Sequence, residues 1–169
     1  MARDEQVGYE ASLGPHVPIE VPYDRLEDAT PTVTEHKPAC VLGVDGSSLT
    51  GTIVNLDAAT SVAVINIAKG ACYYHQVRNV LTYAAAVEAT WGQLNFGTPV
   101  YYDPSATMPA GVYLSLSPLD NAGAANTLFG WCAWSQTEIP DPFRGDTDPY
   151  PLGTAGVAST HEDVVIVQA

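Results

Sequence analysis

Histidine, cysteine and clustered acids are the side chains best able to do chemistry, and their spacing here brings few of them together. The four histidines, His16, His36, His75 and His161, are spread out with no close pair. His75, in the run YYHQ, has the type of a general base, yet a lone histidine on a strand reads first as packing or surface. Cys40, Cys72 and Cys132 are widely spaced, each among apolar neighbours. A zinc site needs Cys or His paired at short spacing. These three read instead as free thiols that pack as small hydrophobes. The expectation is a protein made in a reducing cytosol, without disulfides. Asp141, Asp146 and Asp148 lie close to Gly145, but a calcium loop needs a denser oxygen ladder and usually a terminal Glu. That stretch reads as a solvated acidic loop. No GxSxG, Walker, HExxH or GxGxxG run occurs. The sequence therefore nominates no catalytic residue, no metal ligand and no cofactor.

Composition narrows the partners. The 169 residues hold 19 acids against six Lys and Arg, a formal net charge of -13. A nucleic-acid binder needs a cationic footprint, and no basic cluster exists. Docking on an anionic membrane surface is disfavoured for the same reason. No run approaches the length of a membrane span, and the start MARDEQVGYE has no apolar leader core. The charge is uneven: -6 over residues 1–35, -2 over residues 36–137 and -5 over residues 138–169. Five prolines fall in residues 1–38 and four in residues 140–151. Acidic, proline-bearing ends around a nearly neutral apolar middle imply extended segments around a packed domain.

The elements that would position any site are strands. In HVPIEVPYDRLED, Val17, Ile19 and Val21 alternate with Pro18, Glu20 and Pro22. This predicts an extended segment confined by its prolines to a sheet edge or to polyproline-like geometry. Such a segment must lie on its own domain or on a neighbour, so residues 1–38 are assigned as an N-terminal arm. Short apolar strands bounded by turn residues follow at 39–44, 52–56, 61–67 and 71–75. Others are expected at 99–103, 112–116, 128–134 and 163–168. The segment RNVLTYAAAVEAT, residues 78–90, fits a helical stripe through Val80, Tyr83, Ala84 and Val87, and equally a strand. Gly130 inside its strand predicts a bulge or a close backbone approach. Residues 138–161 have no periodicity and stand as a long loop insertion before the last strand. Strands at this spacing predict an all-β fold, a small barrel or sandwich over residues 39–169.

One set of segments resembles a known family. Ser61–Ile67, Thr90-Trp91-Gly92 running through Phe96 into GTPVYYD (97–103), LFGWCA (128–133) and the terminal Val164–Val167 follow the order seen in capsid decoration, or cement, proteins of tailed bacteriophages. The resemblance implies a β-tulip-like barrel, usually a homotrimer. It would sit on the outer capsid surface of the virion at local three-fold positions and clamp neighbouring major capsid proteins. The residues before the first core strand and the insertion 138–161 lie outside the family pattern. On this reading Val17, Ile19, Val21, Tyr23, Arg25 and Leu26 form a capsid-binding arm. Phe143, Arg144 and Tyr150 are insert contacts. Trp91, Tyr101, Tyr102, Trp131 and Trp134 belong to the core or the trimer interface. Two other classes stay open: another virion structural protein (head–tail connector, tail or fibre-base domain), and a carbohydrate-binding module or hydrolase.

Overall fold

The computed structural model describes residues 14–28, 31, 37–84, 87–91, 96–104, 113–134 and 161–169. Strands account for nearly all of its regular structure, as the alternating β-branched and aromatic runs demand. A four-stranded sheet comes first. Its members are β1 (Pro18–Pro22), β2 (Pro38–Leu42), β3 (Ser48–Asp57) and β4 (Val62–Asn66), in the antiparallel order β1-β4-β3-β2. A closed barrel follows, built from β5 (Cys72–Arg78), β8 (Pro99–Tyr102), β9 (Leu114–Ser115), β10 (Thr127–Trp134) and β11 (His161–Gln168), in the order β10-β11-β5-β9-β8. Between β5 and β8 the chain makes a separate hairpin of β6 (Val80–Ala84) and β7 (Val87–Trp91). The fold is thus all-β with a small closed barrel. In the ambiguous segment 78–90 the described residues, 78–84 and 87–90, belong to the end of β5 and this hairpin, so the strand alternative holds over the helical stripe. Its alanines suit either state, whereas cross-strand pairs such as Val80 with Trp91 and Thr82 with Thr90 exist only in the hairpin.

The N-terminal segment departs most from its assignment as an arm. β1 is a strand of the domain's own sheet, paired with β4 from Pro18–Asn66 to Pro22–Val62. The register explains the proline spacing. Ile67 N–H donates to Val17 O and Tyr23 N–H to Ser61 O, so odd-numbered residues of β1 turn their backbone groups toward β4. Pro18, Glu20 and Pro22 therefore face outward, and two of these three positions have no N–H to offer. The opposite edge is closed in the same way. Ile53 N–H donates to Lys37 O and Gly43 N–H to Ser47 O, which turns Pro38, Cys40 and Leu42 outward on β2. Pro38 has no donor, and Cys40 O accepts from Glu27 N–H at 3.0 Å. Both edges of the sheet are blunted against strand addition.

Two apolar clusters hold these units. Val77, Val100, Tyr102, Leu114, Phe129, Cys132, Val164 and Ile166 fill the barrel together with Cys40 of β2 and Leu116. Val21, Leu26, Ala39, Ile53, Ala63 and Ile65 form the cluster of the sheet. A polar seam joins sheet to barrel. Ser48, Thr50 and Thr52, alternate residues on one face of β3, reach Thr127 Oγ1, the Leu128 carbonyl and His75 Nε2. Thr52 Oγ1 donates to Gln168 Oε1, so it accepts from His75 Nε2–H at 3.0 Å. Gln168 Nε2 donates to the carbonyls of Asn66 and Ala68, and Asn66 Nδ2 donates to Tyr73 OH at 2.7 Å. Thr52, Asn66, His75 and Gln168 are all buried, and a buried network of this kind fixes one docking angle between the units. Gly130 meets its expectation twice over. The β8–β10 register shifts between Leu128 and Gly130, and a Cβ on Gly130 would collide with the carbonyl of Val167 and Ile166 Cγ2.

Candidate functional site

Strand alternation divides the barrel residues into an inside and an outside. Across β8, β10, β11 and β5, the register aligns Pro99, Trp131, Val167 and Cys72 in one outward row. Tyr101 pairs with Leu128 beside it, and Val165 and Tyr74 make the next row. Trp131 keeps 42% of its surface exposed, and Tyr101, Leu128, Val165, Val167, Cys72 and Tyr74 are all partly exposed. Phe96, 75% exposed, lies next to this face, because Gly97 N–H donates to Cys132 O at 2.7 Å. No residue of these three rows carries a charge. The following row, Gln76 with Asp163, brings the first acid. A neutral apolar face rich in aromatics, on a chain of net charge -13, has the composition of a contact surface.

The five aromatic residues assigned to the core or an interface separate along these lines. Tyr102 is buried in the barrel, and burial raises its phenol well above the usual range. Tyr101 and Trp131 point outward, and Trp134 pairs with Val165 after a register shift in the β10–β11 ladder. Trp91 stands at the end of β7, opposite Val80. Phe143, Arg144 and Tyr150, with the rest of 138–160, lie outside the described residues, as do the acids of the 141–148 loop.

The residues assigned to a capsid-binding arm are mostly engaged by the chain itself. Val21 and Leu26 are 5% and 4% exposed in the sheet cluster, and Ile19 and Tyr23 pack against it. These four are corrected from docking contacts to core: pairing with β4 turns the apolar side of β1 inward. Val17 and Arg25 remain exposed. Beyond the short 3-10 turn Tyr23–Arg25, Leu26 bridges to Val41 and Glu27 N–H donates to Cys40 O. Lys37 Nζ contacts Asp28 Oδ2 at 3.4 Å and lies 4.2 Å from the centroid of the Tyr113 ring, which stacks on Tyr102. Burial lowers the Lys37 ammonium from its ordinary value, and Asp28 opposes that shift.

No nucleophile emerges from the buried polar residues described. Cys40 is pushed up to about 12, first by burial and then by the neighbouring Glu27 carboxylate, so at neutral pH it is a packed thiol and not a thiolate. None of the three cysteines is in a disulfide. His75 is held between Thr52 and the ring of Phe129, 5.1 Å away in an edge-to-face arrangement, which is a packing role. Among the described residues no group of three His, Cys, Asp or Glu could hold a metal, and no helix is long and apolar enough to cross a membrane.

Sequence reasoning does not single out Asp103, Leu81 or Leu119. Asp103 reads in the sequence as the acid that closes the GTPVYYD strand, and no role is assigned to its side chain. It is fully buried, and its Oδ2 accepts from Tyr83 OH at 2.7 Å and Ser115 Oγ at 2.9 Å. Its signal is the run YYDP, where an acid closes a core strand. Leu81 and Leu119 both line an open groove of about 450 Å³, and isolated leucines give no such signal in sequence. No family model, curated protein or solved structure matches the chain.

Proposed function

We propose that this protein is a virion structural protein of the decoration, or cement, type. It binds the outer surface of a phage capsid at local three-fold positions as a homotrimer and stabilises the head by clamping neighbouring major capsid proteins. The observation that carries this reading is the charge-free apolar face of the barrel around Trp131. Identical chains of charge -13 repel one another, so copies pack closely only where the surface is neutral. With both edges of the sheet blunted by prolines, association through the barrel face is favoured over strand pairing. Many copies engaging one shell then gain through effective concentration without strong individual contacts. The resemblance to phage decoration proteins supplies the capsid as partner. The exposed surface, with Val17 and Arg25, replaces the free arm as the means of contact.

The test uses purified protein and heads that lack it. The expected result is a trimer by light scattering across the micromolar range, and saturable binding to heads that then resist heating. Rings of six or twelve would instead indicate a connector or tail component. A monomer that ignores heads would overturn the reading altogether.

A further inference from the structure

One side chain of the barrel core carries a polar group that the packing leaves unused. Tyr102 is 2% exposed, and among the described residues nothing bonds to its hydroxyl. Its ring is held by the barrel cluster and stacks on Tyr113, with 6.1 Å between centroids. A buried phenol ordinarily finds a hydrogen-bond partner, and its lack asks for an explanation. Beside this residue lies a small cavity of about 10 Å³, where the sheet cluster meets the barrel cluster. Leu26 and Ile53 supply apolar wall, and Tyr102, Cys40, Lys37 and Asp28 bring polar groups to it. The Tyr102 hydroxyl lies on this side of its ring. Burial is the first cause of its raised value, and Glu27, Cys40 and Asp28 follow through their charges.

The chemistry of the walls selects the occupant. The Lys37 ammonium is 7% exposed and carries three donors. It contacts Asp28 Oδ2 at 3.4 Å, beyond the usual range of a strong bond, and the Tyr113 ring at 4.2 Å. Asp28 also accepts from the Tyr113 hydroxyl, and a carboxylate offers about four acceptor positions. The Cys40 thiol is engaged with Glu27. A volume of about 10 Å³ takes one water and nothing larger. A cation there would lie against the Lys37 ammonium, and an anion against Asp28. Water alone both accepts from the ammonium and donates to the carboxylate.

We propose that this cavity binds one structural water, which joins the Tyr102 hydroxyl to Lys37 and Asp28. Three polar partners are what a buried water ordinarily has. The partners come from three separate segments: the stretch after β1, the residue before β2 and the end of β8. The water therefore ties Leu26–Asp28 to the barrel, as a second polar link in addition to the network of Thr52, His75 and Gln168. It also solvates the Lys37 ammonium, which burial otherwise disfavours. The proposal does not depend on the capsid reading.

The test combines a high-resolution crystal structure of the full chain with oxygen-17 relaxation dispersion of the solvent. The second method detects long-lived waters and is blind to exchanging hydroxyl protons. The crystal is expected to show one peak within hydrogen-bond distance of Tyr102 Oη and Lys37 Nζ. Tyr102→Phe keeps the ring and its stack on Tyr113 while removing one partner of the water. The residence time of that water should fall about fivefold, the effect of losing one ordinary hydrogen bond. The Glu27 amide, which donates to Cys40 O and reports on Leu26–Asp28, should exchange with solvent faster by a similar factor. A direct bond from Tyr102 Oη to Asp28 or Lys37, a cavity without density, or the same oxygen-17 dispersion in parent and variant would each overturn the proposal. Density with the contacts of a metal or halide ion would overturn it as well.

Discussion

The β1 edge of the sheet and the outer face of the barrel are both built from alternating apolar residues, yet one is closed and the other open. In β1 the residues turned toward the sheet are Ile19 and Val21, and the outward positions hold Pro18, Glu20 and Pro22. In the barrel, the rows through Trp131 and Val165 leave apolar side chains outward, over an interior already filled by Phe129, Ile166 and Val164. Alternation alone therefore does not say which apolar residues contact a partner. The decision lies in what the other face of the same strand has to cover. β1 has a core on one side and solvent on the other. The barrel strands have a core inside and an additional apolar surface outside.

The strongest way to break this contrast is a charge on each side of it. Val21→Asp places a carboxylate in the sheet cluster with no cation among its described cluster neighbours. It should cost about 4 kcal/mol or more, most of the stability of a domain at the low end of the ordinary range of about 5–15 kcal/mol. Removing residues 1–27 should be as damaging, since it takes a whole strand from the sheet. Urea denaturation monitored by tryptophan fluorescence measures both. Stability near wild type would return β1 to the status of a detachable arm. Trp131→Asp, by contrast, should leave the unfolding midpoint of dilute protein unchanged while weakening self-association at least about thirtyfold, the effect of losing an interface anchor. Sedimentation as a function of concentration reads that directly, and an unchanged assembly would remove the barrel face from the mechanism.

A smaller effect sharpens the comparison at the seam between the units. Thr52→Val preserves shape and deletes the hydroxyl shared by His75 and Gln168. The two orphaned groups should cost about 2 kcal/mol in all. If the seam sets the docking angle, the variant should also change the edge-to-face contact of His75 with Phe129, visible in the ring-current shifts of the His75 protons. A loss below about 0.5 kcal/mol would show that water replaces the hydroxyl and that the seam is not a structural lock.

How much of this is legible in the sequence differs residue by residue. Gly130 is legible, because a glycine leaves a gap in an apolar strand unless backbone or a neighbouring side chain fills it. The prolines of β1 are half legible. Their type predicts an edge strand, but the sheet to which the strand belongs depends on β4, more than 40 residues later in the chain. RNVLTYAAAVEAT is not, because alanine and valine at these spacings satisfy both periods, and the bulge at Leu81 disrupts the strand signal further. Tyr101 and Tyr102 are adjacent and chemically identical. Only the register of β8 with β10 shows that one faces outward and the other fills the barrel. The groove between Leu81 and Leu119 joins segments far apart in sequence, each carrying one ordinary leucine, so neither marks the other.

The smallest effect tests the edge where the two regions meet, at Glu27. This residue caps β2 through its backbone N–H, and its carboxylate accepts from the Cys40 thiol. Its carboxyl is raised above the ordinary value, first by burial and then by Asp103 and Asp120, with the Cys40 hydrogen bond pulling the other way. A raised carboxyl is one whose charge the folded state disfavours. The charged form therefore costs stability above the folded-state value, and that cost is relieved as pH falls and the folded protein takes up the proton. Glu27→Gln keeps the backbone cap and a side-chain acceptor while removing the charge. It should be more stable than the parent at neutral pH by no more than about 0.5 kcal/mol, since the side chain is only partly withdrawn from water and its interactions are screened. The gain should shrink toward zero as the pH drops through the range where Glu27 protonates in the folded state. Paired urea titrations of parent and variant at several pH values measure that difference. A variant less stable at neutral pH would mean that the Glu27 charge supports the β2 edge through its bond to Cys40 and outweighs the repulsion from Asp103 and Asp120.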